Sequence, residues 1–290
     1  MESKWNHSVA MKDLRSLEMN NQYLGDSMIG LTIAGFDPSG GAGISTDIKT
    51  MAAHGVHACA AVTALTAQNP KKVFSVEPVS TTYISEQIDS IFDEYTIKYS
   101  KTGLLYSKEI IQLVSKKVDE YNLSIVVDPV MVASAGDALA KMEIADALKK
   151  YLLEKTLLAT PNVSEAEKLS GLKINDVNDA KEAAYKIGEY CNVMITGGHL
   201  NGTNIIYNKE KDELITLHQD LIKTDNLHGT GCSLSAAICA NLVLLNNNDK
   251  NSKDEDNLKI AIEKSTKFIY ESVKNGRYGT LNPNFNSKVL

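Results

Sequence analysis

Much of what this 290-residue sequence establishes follows from what it lacks. Its four cysteines, Cys59, Cys191, Cys232 and Cys239, include no CxxC pair, which removes the common zinc and dithiol spacings and fits reduced thiols in a cytoplasmic protein. No stretch approaches 18 uninterrupted apolar residues, so no membrane-spanning helix is expected. The first 27 residues mix acids and bases without the apolar run of a signal peptide. They are expected to form a flexible N-terminal extension, with the fold beginning at Met28, although Leu14, Leu17 and Leu24 offer a stripe for docking as a short helix. Positive charge is also scarce: 30 Lys+Arg against 36 Asp+Glu give a net charge of -6, and no basic patch stands out to hold a nucleic acid. Finally, neither familiar nucleotide fingerprint is complete. The glycine cluster of LTIAGFDPSGGAGISTDIKTMAAHG (31–55) has Thr46 where GxGxxG needs its third glycine, and no Gly-Lys-Ser/Thr follows, so a dinucleotide fold and a Walker-type nucleotidase lose their support.

What is present is a hydrophobic content of 43%, enough for a large core, arranged as short apolar runs alternating with helical patterns. IGLTIAG (29–35), HACAAVTAL (57–65), LSIVVDP (123–129), TLLAT (156–160) and NVMITGG (192–198) read as strands, several of them apolar on both faces, as in a parallel sheet covered on both sides. Ile84, Ile88, Ile91 and Phe92 form one stripe at helical spacing, and Ile144, Leu148, Tyr151 and Leu152 another. Ser164 to Glu167 matches a capping box, Gly171 marks a helix stop, and a further helix runs from about Asp179 to Glu189. NIIYN and ELITLHQ read as a hairpin, and NNNDKNSKDEDN (246–257) as a solvated loop between the last two helices. The pattern predicts an α/β fold of three layers, a central mostly parallel sheet with helices on both faces, in a single domain over 28–290.

Two glycine-rich turns carry chemistry. LHGTGCSLSAAICANLVLL (227–245) starts a helix at Gly-Thr-Gly-Cys, and the unpaired N–H groups and positive dipole end of such a start attract anions. Gly229 and Gly231 let a phosphate approach the backbone, Thr230 and Ser233 can donate hydroxyl hydrogen bonds, and the helix end is expected to lower the Cys232 thiol pKa, making it a candidate base. An ordinary helix start capped by Thr230 or Ser233 is the structural alternative. In the first cluster, a strand ending in a flexible acidic turn at Asp37 and Pro38, then a helix carrying Asp47 and Lys49, suits a substrate edge at the carboxyl ends of parallel strands.

Taken in order, AGFDPSGGAGISTDIKT, TALTAQNP, KTGLL, VVDPVM, ATPNVSEAEKLSG, ITGGH and HGTGCSLSAAI closely resemble the hydroxymethylpyrimidine/phosphomethylpyrimidine kinase family of thiamine biosynthesis, in the ribokinase-like superfamily. The resemblance runs from Met28 to about Val273 and implies ATP and Mg²⁺ as cofactors, a small-molecule pyrimidine as substrate and a homodimer as the usual state. It places Gln68 on the aminopyrimidine edge, where an amide supplies both a donor and an acceptor, with Ala42, Asp37, Asp47 and Val130 around the substrate. It makes Gly229, Thr230 and Gly231 the anion hole, Cys232 the acceptor of the hydroxymethyl proton, Asp128 a position near phosphates and metal, and Asn162, Thr196, Gly197 and Gly198 the nucleotide side. From the residues alone, Gln68 and Asp128 are also ordinary strand-end residues, Asn162 is also a helix cap, and His199 and His228 read as hydrogen-bonded structural residues.

There is one departure. The family usually has a lysine before the glycine pair of its GGH motif, and here Thr196 stands there, so a charged donor to the transferred phosphate is replaced by a neutral one, a loss on the order of 10–1000-fold in turnover unless Lys101 or Mg²⁺ compensates. The C-terminal RYGTLNPNFN also replaces the family's glycine-rich ending. The expected activity is phosphorylation of 4-amino-5-hydroxymethyl-2-methylpyrimidine and its monophosphate. Pyridoxal kinase activity and a catalytically weakened pyrimidine-binding protein are the alternatives.

Overall fold

Strand β5 (Ser124–Val127) shows why apolar runs dominate the centre of the molecule. Ile125 and Val127 point into one core and Val126 into the other, so alternation does not separate a dry face from a wet one. The computed structural model describes residues 28–131, 138–249 and 253–285. The extension expected over 1–27 lies outside the described residues.

The strands are β1 (Ile29–Phe36), β2 (His57–Asn69), β3 (Lys72–Pro78), β4 (Tyr99–Thr102), β5, β6 (Thr156–Ala159), β7 (Asn192–Ile195), β8 (Thr203–Asn208) and β9 (Glu213–His218). They form one sheet in the order β3-β2-β1-β4-β5-β6-β7-β8-β9. Strands β2 through β7 in that row pair in parallel, and β3, β8 and β9 are antiparallel additions at the two edges.

The helices are α1 (Gly43–Ala53), α2 (Thr81–Glu94), α3 (Lys108–Glu120), α4 (Ala138–Tyr151), α5 (Val163–Ser170), α6 (Val177–Gly188), α7 (Thr230–Asn248) and α8 (Asp254–Lys274). Residues of α2 to α6, such as Ile84, Ile111, Leu148 and Ile187, pack with Leu31 and Ile33 on one face; Met51 of α1, Leu234 and Ile238 of α7 and Ile262 of α8 pack on the other. The three-layer architecture read from the sequence is therefore present. No helix of the described residues is long and apolar enough to cross a membrane.

Two strands escaped the sequence reading. β3 is an exposed edge, and β4, YSKT, is polar yet buried in the middle of the sheet, where Lys101 pairs with Asp47 while the strands on either side are largely apolar. β2 also runs four residues past the expected 65, carrying Gln68 to its end. The capping box lies two residues earlier than read: Asn162 Oδ1 accepts from the Glu165 amide at 3.0 Å, and Glu165 Oε2 accepts from the Asn162 amide at 2.9 Å. Gly171 does end that helix, in the left-handed conformation. The polar run 246–257 is mostly helical at both ends, since α7 continues to Asn248 and α8 starts at Asp254.

β1 and β4 are neighbours although the chain runs outward from β1 to β2 and β3 before returning. Such a reversal opens a crevice at the carboxyl ends of the strands, where ligands bind in open parallel sheets. Over it lies α7, whose residues Ser233 to Val243 are all buried. Its Ser, Ala and Cys side chains admit α1 and α8 at close range, with Asn241 Nδ2 donating to Ser265 Oγ of α8 at 3.0 Å.

Asp254, the first residue of α8, ties that helix to the sheet by accepting from Lys98 Nζ at 2.7 Å, Tyr99 Oη at 2.6 Å and Ser124 Oγ at 2.7 Å. Burial raises its carboxyl pKa, but these donors more than offset that and hold it below the usual carboxylate range. A depressed acid adds stability that is complete above its unfolded pKa of about 4 and is lost as pH falls through the folded value. Asp254→Asn is expected to cost about 1–3 kcal/mol at pH 7 in urea titrations, with the deficit shrinking toward pH 3. A deficit that stays constant over that range would contradict this account.

Candidate active site

The first glycine loop is built on a buried carboxylate. Asp37 is fully buried, and it accepts from the amides of Ser39 and Ala42 at 2.8 Å each, from Ser39 Oγ at 3.0 Å and from His228 Nε2 at 2.9 Å. Burial raises its pKa, and the bonds from His228, Ser39 and Ala42 more than reverse that. The expected flexible acidic turn is thus an ordered one, and Asp37 shapes the loop instead of facing a substrate. His228 is the hydrogen-bonded structural residue that the sequence suggested.

Two glycines bring the loops together. Gly43 opens α1 at φ 54°, where a Cβ would lie 2.2 Å from Gly35 O. Gly229 precedes α7 at φ 83°, where a Cβ would lie 1.8 Å from Gly41 O. Backbone therefore meets backbone between two segments far apart in sequence. Thr46 Oγ1 and Ser233 Oγ, 3.0 Å apart, continue the seam between α1 and α7.

At the start of α7, the Thr230 and Ser233 hydroxyls are both committed internally, Thr230 Oγ1 donating to Leu227 O at 2.6 Å and Ser233 Oγ pairing with Thr46. Neither caps the helix. The donors left at this helix start are backbone ones: Gly231 and Cys232, as second and third residues, have N–H groups with no carbonyl partner inside the helix. A Cβ on Gly231 would meet nothing within 4 Å, so open space lies beside this residue.

Beneath this helix end lies a charged cluster. Lys101 Nζ, with no exposure, sits 2.9 Å from Asp47 Oδ2 and 4.0 Å from Asp128 Oδ2, and Thr32 Oγ1 donates to Asp47 Oδ2 at 2.6 Å. Burial disfavours the ammonium, but Asp47, Cys232 and Asp128 more than restore it and leave Lys101 firmly protonated. Asp47 is also fully buried, which corrects its expected place against the substrate: it holds Lys101. Burial keeps its carboxyl above the ordinary range despite that partner.

The Cys232 thiol meets the Asp128 carboxylate and the Gly43 amide. Its pKa is not lowered as the helix end led us to expect. Burial pushes it well up, the charges of Asp128 and Asp47 add to this, and Lys101 and the Gly43 amide oppose it without prevailing. Cys59, Cys191 and Cys239 are buried core thiols, as read from sequence; burial pushes Cys191 and Cys239 up to about 12.

Beside α7 opens a cavity of about 520 Å³, within the range of small-ligand clefts. It gathers Asn162, Thr196, Gly197, Gly198, Thr230 and Gly231 from three separate segments of sequence, with Leu234, Ile269, Tyr270 and Val273 as an apolar wall. The turn at 196–198 is fixed from behind: the Thr196 amide donates to Pro161 O at 2.9 Å, and the Gly197 amide to Asn204 Oδ1 at 2.8 Å. A Cβ on Gly198 would meet nothing within 4 Å. Asn162 both caps α5 and lines the cavity, so its two sequence readings coexist.

Gln68, Ala42, Val130, Asp128 and Cys232 are outside this cavity. Ala42 lies in the Asp37 loop, and the Val130 amide donates to Asp128 O at 2.8 Å just beyond β5. Gln68 is half-buried where β2 turns to β3; Pro70, two residues further on, lies beside Gly279, whose carbonyl accepts from the His228 amide at 3.3 Å.

Glu165 was missed as a site residue. Burial, then the charge of Asp128, push its carboxyl up to about 8. The sequence reading set the capping box at Ser164, two residues late, and so did not single out Glu165 as the acid of that box.

Gly231→Ala is expected to fold at least as stably as the native chain, since alanine favours a helix by about 1 kcal/mol, while its methyl enters the space bordering the free amides. At least tenfold weaker nucleotide binding by calorimetry, with unchanged thermal unfolding, is the expected result; native affinity would show that anions do not bind there.

Comparison with known proteins agrees with this geometry. The family model described as phosphomethylpyrimidine kinase matches residues 37–283. The hydroxymethylpyrimidine/phosphomethylpyrimidine kinase of Rhizobium meliloti is 41% identical over 221 residues, 74% of this chain and 82% of that protein. The enzyme of the same name from Bacillus subtilis is 37% identical, covering 84% of this chain and 89% of its own. Among solved structures, the pyridoxal kinase of Staphylococcus aureus in complex with ADP superposes with a TM-score of 0.79 at 28% identity, over 91% of this chain and 96% of that one. The phosphomethylpyrimidine kinase of Clostridium difficile gives 0.68 at 34% identity, over 84% and 99%. With its family match running unbroken from the Asp37 loop to the turn after α8, this chain belongs to the phosphomethylpyrimidine kinase family and is a phosphotransferase.

Proposed function

We propose that the protein transfers the γ-phosphoryl group of ATP to the hydroxymethyl oxygen of 4-amino-5-hydroxymethyl-2-methylpyrimidine and, in a second turnover, to the resulting monophosphate. The observation that carries this reading is the meeting of the two glycine loops at the open amides of Gly231 and Cys232, beside a cleft of about 520 Å³. In it, ATP lies along Asn162, Thr196, Gly197 and Gly198 with its γ-phosphate at the start of α7, and the pyrimidine lies under the Ala42 loop, read by Gln68, with Val130 near its ring.

The family's cation fits the residues present. Asp128 Oδ2 is buried without a hydrogen-bond partner, and Glu165 shares its negative field. Among the described residues no group of three or more His, Cys, Asp or Glu is placed to hold a metal. Two carboxylates, with the remaining positions filled by phosphate and water, is the mode that Mg²⁺ prefers. When bound, Mg²⁺ would neutralise charge on the phosphates and on the two carboxylates.

The chain's own residues then do the following. The amides of Gly231 and Cys232 hold the phosphoryl oxygens. Cys232 acts from its thiolate form, which the Gly43 amide, the Lys101 charge and a bound cation would favour against burial; Sγ then accepts the alcohol proton as the oxygen attacks phosphorus and the bond to ADP breaks. Lys101, locked by Asp47, is the buried positive charge in a site where Thr196 supplies none. The same reading makes the protein a cytoplasmic homodimer, supported by its four free thiols and by exposed Leu65, Val73 and Phe74 on the β2–β3 hairpin.

A second reading, pyridoxal kinase, is favoured by the likeness to that enzyme of Staphylococcus aureus. An ADP-release assay with the hydroxymethylpyrimidine, its monophosphate and pyridoxal side by side is expected to favour the pyrimidine. A preference for pyridoxal would transfer the assignment to it, and pyrimidine binding without turnover of any alcohol would make the protein a binder. Cys232→Ala is expected to lower kcat at least tenfold with the fold intact, since general-base assistance is worth about 10²–10⁴; native turnover would remove Cys232 from that role.

A further inference from the structure

The His228 side chain fastens the segment entering α7 to the Asp37 loop, across a separation of 191 residues. Asp37 needs no fourth partner to fold its own loop, because the amides of Ser39 and Ala42 and the Ser39 hydroxyl already do that. The bond from His228 Nε2–H therefore adds something else: it holds one glycine loop against the other. The imidazole packs close against the first loop, since a Cβ on Gly41 would be 2.6 Å from His228 Cδ2. Its own backbone is braced by the C-terminal turn, with its amide on Gly279 O at 3.3 Å, while Asn226 Nδ2 donates to Gly276 O at 3.1 Å and Asn226 Oδ1 accepts from the Gly279 amide at 2.8 Å. The next residue is Gly229, whose left-handed turn aims the amides of α7.

We propose that His228 is a positioning residue for phosphoryl transfer: its bond to Asp37 fixes the loop over the alcohol relative to the helix end that holds the phosphate. This rests on the function proposed above. The bond touches neither ligand. Each half-site keeps its own contacts without it, but the distance between the alcohol oxygen and the phosphorus is no longer set. Misplacement by about 1 Å in such a reaction costs on the order of 10²-fold in rate.

The test uses three variants of the full chain: His228→Leu, similar in bulk with no donor; His228→Gln, whose Nε2 can still reach Asp37; and His228→Asn, whose amide falls short. Leu and Asn are expected to lower kcat by about 10–100-fold with KM for alcohol and for ATP each within about threefold, and Gln to recover most of the loss. Hydrogen exchange, which needs no turnover, is expected to speed up at least tenfold for the hydrogen-bonded amides of Ser39, Gly40 and Ala42 in one loop and of His228, Thr230 and Ser233 in the other in Leu and Asn, and to return toward native in Gln. Thermal unfolding is expected to stay close to native; should Leu not fold, Asn carries the same comparison. Native kcat in Leu or Asn, a change confined to KM, or exchange that quickens in only one loop would each overturn the proposal. If the native protein turns over no alcohol, the function reading fails and the exchange result alone decides whether His228 couples the loops.

Discussion

A lysine without access to water sits in the middle of the sheet, and the site is arranged around that fact. Taking an ammonium out of water costs several kcal/mol, which a single carboxylate with good geometry roughly offsets. Lys101 has that carboxylate in Asp47 and a second at 4.0 Å in Asp128. One positive and two negative groups leave the cluster short of positive charge. The amino ends of α1 and α7 both lie over it, and their dipoles supply part of what is missing. Burial first, and neighbouring negative charge after it, raises the pKa values of Asp128, Glu165 and Cys232. A pocket left in that condition is matched to a ligand that arrives with a cation.

The alternation of strands and helices was legible because most strands are apolar and short, and because Gly171, the hairpin at 203–218 and the stripes at 84–92 and 144–152 obey local rules. β4 was not, because a strand written YSKT looks like a loop until its neighbours are known to be Thr32, Asp47 and Asp128. The site divided the same way. Gly229 and Gly231 announce themselves, whereas Asp37 and Asp47 read as ligand-facing acids and are instead fully buried supports. Polarity in a sequence says that a residue needs a partner; it does not say whether that partner is solvent, substrate or protein. The Cys232 pKa failed for a related reason, since a helix end is visible in sequence and the depth of burial behind it is not.

Similarity to both pyrimidine and pyridoxal kinases is understandable from the layout. The cleft beside α7 is built from backbone turns and a helix start drawn from several segments, features that do not record which alcohol is being phosphorylated. On the reading proposed above, discrimination falls to side chains near the end of β2, Gln68 among them. A neutral Thr196 in the cleft wall leaves charge compensation to Lys101 and to whatever cation is bound.

The middle of α7 is enclosed on every side, from Ser233 to Val243. A rod clamped along its length behaves as an anvil: it cannot swing aside to admit or release a nucleotide. The stretch before it is the contrast: Leu221 and Leu227 stand more than half exposed on a segment without regular structure, so the wall of the cleft that can yield lies ahead of the helix and not within it.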